Sequence, residues 1–208
     1  MKRIFATAVL ASASLAAQAQ GFYLGAGVGV SKAENDLKGF NAEMVEDFGG
    51  SISSTQDSSI RSFRLIGGYK VNENVAIELG YSRSAKWNLN YAGRTGNNVA
   101  YSGGGNVRTD GFDVSAVVRP SVASGFNNFF ATAGVHNYQA EVGVSFSADG
   151  TRLAINGSER GTGTMFGAGY DWKARKDLDV RLLVRRLNKV AGESGGANNF
   201  FIGLNKHF

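Results

Sequence analysis

The segment Val75–Ala76–Ile77–Glu78–Leu79–Gly80–Tyr81–Ser82–Arg83 decides the fold. Val75, Ile77, Leu79 and Tyr81 are apolar, whereas Ala76, Glu78, Gly80 and Ser82 are small or polar. Successive side chains of a strand point to opposite faces, so this order gives one greasy face and one polar face. A helix would mix the two sets. The same alternation is expected to make strands of Phe22–Ser31, Ser62–Tyr69, Gly111–Arg119, Phe129–Tyr138, Thr162–Trp172, Leu178–Leu187 and Asn198–Phe208, eight in all. Phe129–Tyr138 is the least regular, because Phe129 and Phe130 compete for one face.

The expected connections alternate in length. Short ones follow the second, fourth and sixth strands (Lys70–Asn74, Pro120–Asn128, Lys173–Asp177). Long ones follow the first, third, fifth and seventh (Lys32–Arg61, Ser84–Asp110, Gln139–Gly161, Asn188–Ala197). Asn72–Glu73–Asn74 and Lys176–Asp177 supply turn chemistry, and the single proline falls in a turn, where no ladder donor is lost. Short turns at one end and long loops at the other are the pattern of bacterial outer-membrane barrels. The expected fold is therefore all-β, an eight-stranded antiparallel up-and-down transmembrane β-barrel with short periplasmic turns and longer extracellular loops.

Sidedness is the central expectation. The polar phase carries Arg64, Glu78, Asp113, Ser115, Asp171, Asp179, Arg181 and Arg185 together with many glycines. In a soluble carrier barrel those charges would face water. Two features favour the reverse. Tyr69, Tyr81, Tyr170, Trp172 and Phe208 fall at strand ends, where an interfacial aromatic girdle belongs. Glycine also suits a crowded interior better than a solvated face. Ten tilted residues span roughly 25 Å, the height of the apolar band.

The chain has 208 residues, 29 of them glycine, and no cysteine, so neither disulfide nor thiolate chemistry is available. Lys2 and Arg3, the apolar run Ile4–Ala17 and the small-x-small triplet Ala17–Gln18–Ala19 read as a signal peptide, residues 1–20, cleaved after Ala19 or Gln20. The run falls short of the about 20 apolar residues of a spanning helix. Its removal lowers the formal net charge from +5 to +3, too little to argue for nucleic acid. Residues 21–208 form the expected barrel domain.

The signal peptide, Gly21–Phe22–Tyr23–Leu24–Gly25–Ala26–Gly27–Val28–Gly29–Val30, Arg64–Leu65–Ile66–Gly67–Gly68–Tyr69–Lys70 and the terminal Phe208 together resemble the OmpA-like eight-stranded barrel family. The resemblance covers the mature chain and implies fold and location, the bacterial outer membrane. It implies no single activity, since members are structural, adhesive or recognition proteins. Phe208 resembles the recognition signal for barrel assembly, which implies the barrel-assembly machinery and periplasmic chaperones as partners. Lys206 departs from the hydrophobic residue usual at its place. Because the chain stops at the last strand, a peptidoglycan-binding domain is not implied.

An interior this narrow holds side chains only, and charges there need partners. Arg64, Glu78, Asp113, Arg181 and Arg185 are the expected interior salt-bridge network, read as a plug; the alternative is a gated pore. No catalytic residue, cofactor or metal site is expected. His136 is followed by Asn137 and Tyr138, without the serine of a lipid A deacylase, and reads as a hydrogen-bond partner. His207 falls on the inward phase at the periplasmic end. Asp57–Ser58 lies in a Ser-rich loop with no nearby histidine and reads as solvated loop. The glycine runs lack a phosphate-cradling pattern. Acidic residues Glu34, Asp36, Glu43, Glu46 and Asp47 read as a solvated loop rather than a calcium site.

The upper strand ends gather Arg61, Arg83, Lys86, Arg108, Arg160 and Arg186, candidate contacts for lipopolysaccharide phosphates, with a solvated rim as the plain alternative. Trp87, Tyr91 and Tyr101 read either as exposed recognition aromatics or as strand extensions above the membrane. The expected function is a non-enzymatic outer-membrane barrel that supports the envelope and displays surface loops. An adhesin acting on an extracellular ligand is the alternative, ahead of a narrow pore or a lipid-modifying enzyme.

Overall fold

The computed structural model describes residues 21–33, 37–121, 126, 128–189 and 196–208. The signal-peptide expectation, together with Glu34 and Asp36 of the acidic loop, lies outside them. The chain is almost entirely antiparallel sheet. In order the elements are β1 (Phe22–Ala33), α1 (Leu37–Phe48), β2 (Ser51–Gln56), β3 (Ile60–Lys70), β4 (Val75–Ser84), β5 (Trp87–Arg94) and β6 (Ala100–Val118). There follow β7 (Phe129–Ala148), β8 (Thr151–Arg175), β9 (Leu178–Leu187) and β10 (Ala197–His207).

Eight of these strands close a ring in the order β1, β3, β4, β6, β7, β8, β9, β10. The last pairs antiparallel with the first, with Val28 opposite Ile202 and Val30 opposite Phe200. Closure leaves no ring strand with an unpaired edge in the membrane-spanning part, as backbone in hydrocarbon requires. The turns at one end are short: Asn72 Oδ1 accepts from the backbone amides of Asn74 and Val75, both at 2.9 Å. Lys176 and Asp177 alone join β8 to β9.

The segment that opened the reading shows the expected sidedness. Ile77 is 51% and Leu79 56% exposed, whereas Glu78 between them is 3% exposed. Leu24, Leu65, Val114, Val184, Ile202 and Leu204 extend the exposed apolar belt around the ring. Water could not tolerate so large a continuous greasy surface on a monomer; acyl chains require it. Phe129 faces outward against Tyr170 at a centroid distance of 4.9 Å, while Phe130 is buried inside, which resolves their competition. Phe22 and Tyr69 pack at 4.9 Å near the same short-turn end. Inside, a Cβ on Gly80 would fall on the Arg64 guanidinium, and one on Gly68 on the Tyr23 ring. Glycine in the inward phase thus makes room for long side chains crossing the lumen.

The long connections depart from expectation. Ser84–Asp110 and Gln139–Gly161 are not loops but mostly strand. β5 and the upper part of β6 form a hairpin, and β7 and β8 run on together to Ala148 and Thr151. The first connection contains α1 and β2, and β2 pairs with β5. A sheet in the order β2, β5, β6, β7, β8 therefore stands above the ring. Tyr91 and Tyr101 are buried in it, so of their two readings the strand extension holds, and the exposed-recognition reading is corrected. Burial pushes the Tyr91 phenol up from its ordinary value, with Tyr101 adding to the effect. These segments escaped the sequence pattern because both faces are of mixed polarity above the bilayer. Ladder hydrogen bonds, not a greasy face, propagate the strands.

Candidate functional site: a charged lumen and a basic rim

The inward phase converges on two ionic clusters. In the lower one, Arg181 Nε and Nη2 donate to Asp171 Oδ1 and Oδ2 at 2.7 and 2.9 Å, and Nη1 pairs with Glu78 Oε1. Arg119 Nη2 meets Asp171 Oδ2 at 2.6 Å. The Tyr23 hydroxyl donates to Glu78 Oε1 at 2.6 Å. The Arg181 guanidinium also lies 4.5 Å from the Phe130 ring centre. Two guanidinium groups and two carboxylates balance.

In the upper cluster Arg64 grips Asp113 with both Nη atoms, Nη2 to Oδ1 at 2.7 Å. Arg185 Nη1 reaches Asp113 Oδ2 at 3.0 Å, and its Nη2 donates to Ser82 Oγ at 2.7 Å. The Arg185 guanidinium sits 5.2 Å from the Phe201 ring centre. Here two arginines share one carboxylate. The structure thus brings Arg64, Asp113 and Arg185 together, and Glu78 with Arg181, in two clusters instead of one. Bidentate arginine–carboxylate pairs are the strong form of such contacts, and buried charges persist only when so satisfied.

Sequence reasoning missed Arg119 and Tyr23 as members. Both had a signal. Arg119 continues the inward phase of Asp113, Ser115 and Val117, and Tyr23 is the one large hydroxyl in the glycine phase of β1. His136 Nε2 lies 2.9 Å from the Asn188 carbonyl oxygen. His207 Nε2 lies 2.6 Å from Asp179 Oδ2 at the short-turn end. Asp57 Oδ2 accepts from the backbone and side-chain amides of Asn88, each at 3.0 Å, clasping β2 to β5. Among the described residues no three His, Asp or Glu side chains group as metal ligands do.

On the outside, four of the six basic rim residues share one open groove of about 850 Å³. Arg61, Arg83, Lys86 and Arg108 border it above, and Val28, Val30, Phe63, Phe200 and Ile202 line it below. Arg108 also pairs with Glu141 across the β6–β7 register. Arg160 donates to Gln139 Oε1 at 3.1 Å, and Arg186 Nη1 to Asn198 Oδ1 at 3.3 Å; neither lines the groove. Phe208 is half exposed after β10, its amide bonded to the Phe22 carbonyl at 3.0 Å, and Lys206 pairs with Asp177.

A closed ring of eight antiparallel strands, greasy outside and ionic within, defines a transmembrane β-barrel. The family model of the OmpA-like transmembrane domain matches residues 17–201, and the chain belongs to that family. Among solved structures it is similar to Ail, the attachment invasion locus protein of Yersinia pestis, with 13% identity and a TM-score of 0.51, covering 91% of this chain and 99% of Ail. Ail in complex with the heparin analogue sucrose octasulfate matches at 11% identity and a TM-score of 0.50, with the same coverage. Neisserial surface protein A matches at 17% identity and a TM-score of 0.47, over 91% of this chain and 98% of its own. Likeness at these identities shows the fold alone. A comparison with curated protein sequences found no match. Family and fold together support a place in the bacterial outer membrane.

Proposed function

We propose that the protein is a non-enzymatic structural barrel that holds the outer leaflet through its basic rim and carries the upper sheet as its surface display. One observation carries this reading: the lumen is occupied by buried, mutually paired charges rather than left as an aqueous channel. Glu78, Asp113, Asp171, Arg64, Arg181 and Arg185 are all buried within it. The rim groove supports the envelope role, since it sets cations directly above an acyl-sized greasy wall, the order of charges and chains in lipopolysaccharide. The catalytic alternative finds no support in Asp57 or His136, each of which has a structural partner. Export by the leader at residues 1–20, and insertion by the assembly machinery and periplasmic chaperones reading Phe208, complete the proposal.

Planar-bilayer recording of the refolded chain tests the plug. No sustained conductance is expected; a steady conductance altered by Glu78→Ala would establish a pore. Surface attachment is the second reading, favoured by Leu153 and Ile155, 60% and 70% exposed on the β7–β8 hairpin. A deletion strain separates the two: detergent sensitivity supports the envelope role, whereas lost attachment with intact permeability supports adhesion.

A further inference from the structure

Above the ring the upper sheet ends in an open edge. β8 pairs with β9 only from Met165 toward the short turns, while β7 accompanies it up to Thr151. Among the described residues nothing pairs with its other side from Thr151 to Gly163. The link from Leu187 to Ala197 lies nearest, and at about 3.3 Å per residue it is too short to rise beside β8 to Thr151 and return. We propose that this edge pairs with the same edge of a second copy in a facing membrane. The proposal rests on the attachment reading and names its partner, another copy of this chain.

The ladder fixes which groups face the open side. The Thr164 carbonyl accepts from the Asn188 amide at 2.9 Å, on the β9 side, and the Asp171 amide donates to the Asn128 carbonyl at 2.8 Å, on the β7 side. No register shift interrupts the β7–β8 pairing from Tyr170 to Thr151. Even-numbered residues therefore aim both backbone groups at the open edge: Arg152, Ala154, Asn156, Ser158, Arg160 and Thr162. Native sheets blunt such edges with proline, lysine or a bulge. Thr151–Gly163 contains no proline, no lysine and no bulge, and Thr151–Arg160 is exposed throughout.

Symmetry places the partner. Two copies of one edge join into a continuous sheet only antiparallel, about a two-fold axis that passes through the sheet. Because the sheet stands above the ring, that axis lies in the membrane plane. It turns the second barrel upside down, into an opposing membrane.

Side chains set the register. With the axis at Ala154, Leu153 of each copy falls opposite Ile155 of the other, on the phase that Asp171 shares lower down. Leu153 and Ile155 are 60% and 70% exposed, and pairing takes both from water. Arg152 then falls opposite Asn156. An axis at Ile155 sets Leu153 against Gly157 instead. One at Asn156 sets Arg152 against Arg160, and like charges directly opposite repel.

Sedimentation of the refolded chain, one barrel per lipid nanodisc, tests the pairing, since a disc leaves both ends of the barrel open to solution. Paired discs are expected from the unaltered chain and not from empty discs. Ala154→Pro removes an amide that faces the open edge and spares the β7 ladder. It should weaken pairing about tenfold or more while heat-modifiable gel migration stays intact. Leu153→Glu and Ile155→Lys should each weaken pairing alone. Mixed together, they should pair about fivefold tighter than either does with itself, because the introduced carboxylate meets the introduced ammonium. Discs that stay single at about 0.1 mM barrel overturn the proposal and leave the edge to an extended segment of another protein. Pairing unmoved by Ala154→Pro overturns it as well, and a mixture no tighter than its parts overturns the register at Ala154. The attachment reading fails separately, if the deletion strain attaches as well as its parent.

Discussion

The long strands β6, β7 and β8 each pass through two environments, and the same backbone obeys a different rule in each. In the membrane-spanning part of β6, Phe112, Val114 and Val118 are exposed and Asp113, Ser115 and Val117 are buried. Farther up the same strand, Gly103, Gly104, Gly105 and Asn106 show no such division. Below, lipid on one side and a narrow polar lumen on the other impose strict alternation, because a polar group facing hydrocarbon or an unpaired charge inside costs several kcal/mol. Above, both faces of the β2–β5–β6–β7–β8 sheet are of mixed polarity, and order rests on ladder bonds and a few buried tyrosines. Large penalties should therefore be confined to the lower region.

The sharpest break would come from Glu78→Leu. Removing the carboxylate leaves the Arg181 charge and the Tyr23 hydroxyl under-compensated in the lumen, and a loss of about 3–5 kcal/mol in urea unfolding from lipid vesicles is expected. Leu79→Arg tests the opposite face one residue away, where a cation at the bilayer midplane costs about 2–4 kcal/mol in the same measurement. If Leu79→Arg proved neutral, the assignment of the greasy phase to lipid would fail.

Between the two regions lies the rim. The double substitution Arg83→Gln/Lys86→Gln should leave stability in plain detergent unchanged and lower it by about 1–2 kcal/mol in lipopolysaccharide-containing bilayers. Arg186→Gln, outside the groove, serves as the comparison and should move the second value less. The smallest effect belongs to the hairpin tip. Asp149 and Gly150 both have positive φ, 47° and 74°, the geometry of a two-residue turn that suits the twist of its strands. Nothing lies near a Cβ built on Gly150, so Gly150→Ala should cost about 1 kcal/mol of backbone strain. Faster hydrogen exchange at Ser147–Arg152 would report it, with the unfolding midpoint of the ring unmoved.

How much of this was legible follows from the same contrast. Val75–Arg83 announced its strand, its lipid face and the burial of Glu78, because the environment writes period two directly into residue choice. Ser84–Asp110 and Gln139–Gly161 announced nothing comparable, and the expected loops proved to be paired strands. Arg119 shows a third case: its inward phase was readable, but a place at a turn concealed that its side chain reaches back to Asp171.

By itself the sequence determined the local alternation, the alternating lengths of the connections and the sidedness that together make a membrane barrel, since each is a property of neighbouring residues. Only the tertiary structure decided which charges meet, splitting the ionic interior into a balanced lower cluster and an upper one with a spare arginine. It also decided that Arg61, Arg83, Lys86 and Arg108, drawn from three strands and one link, border a single groove. Such groupings depend on which strands become neighbours when the ring closes and on their register, and a period counted along one strand carries no information about either.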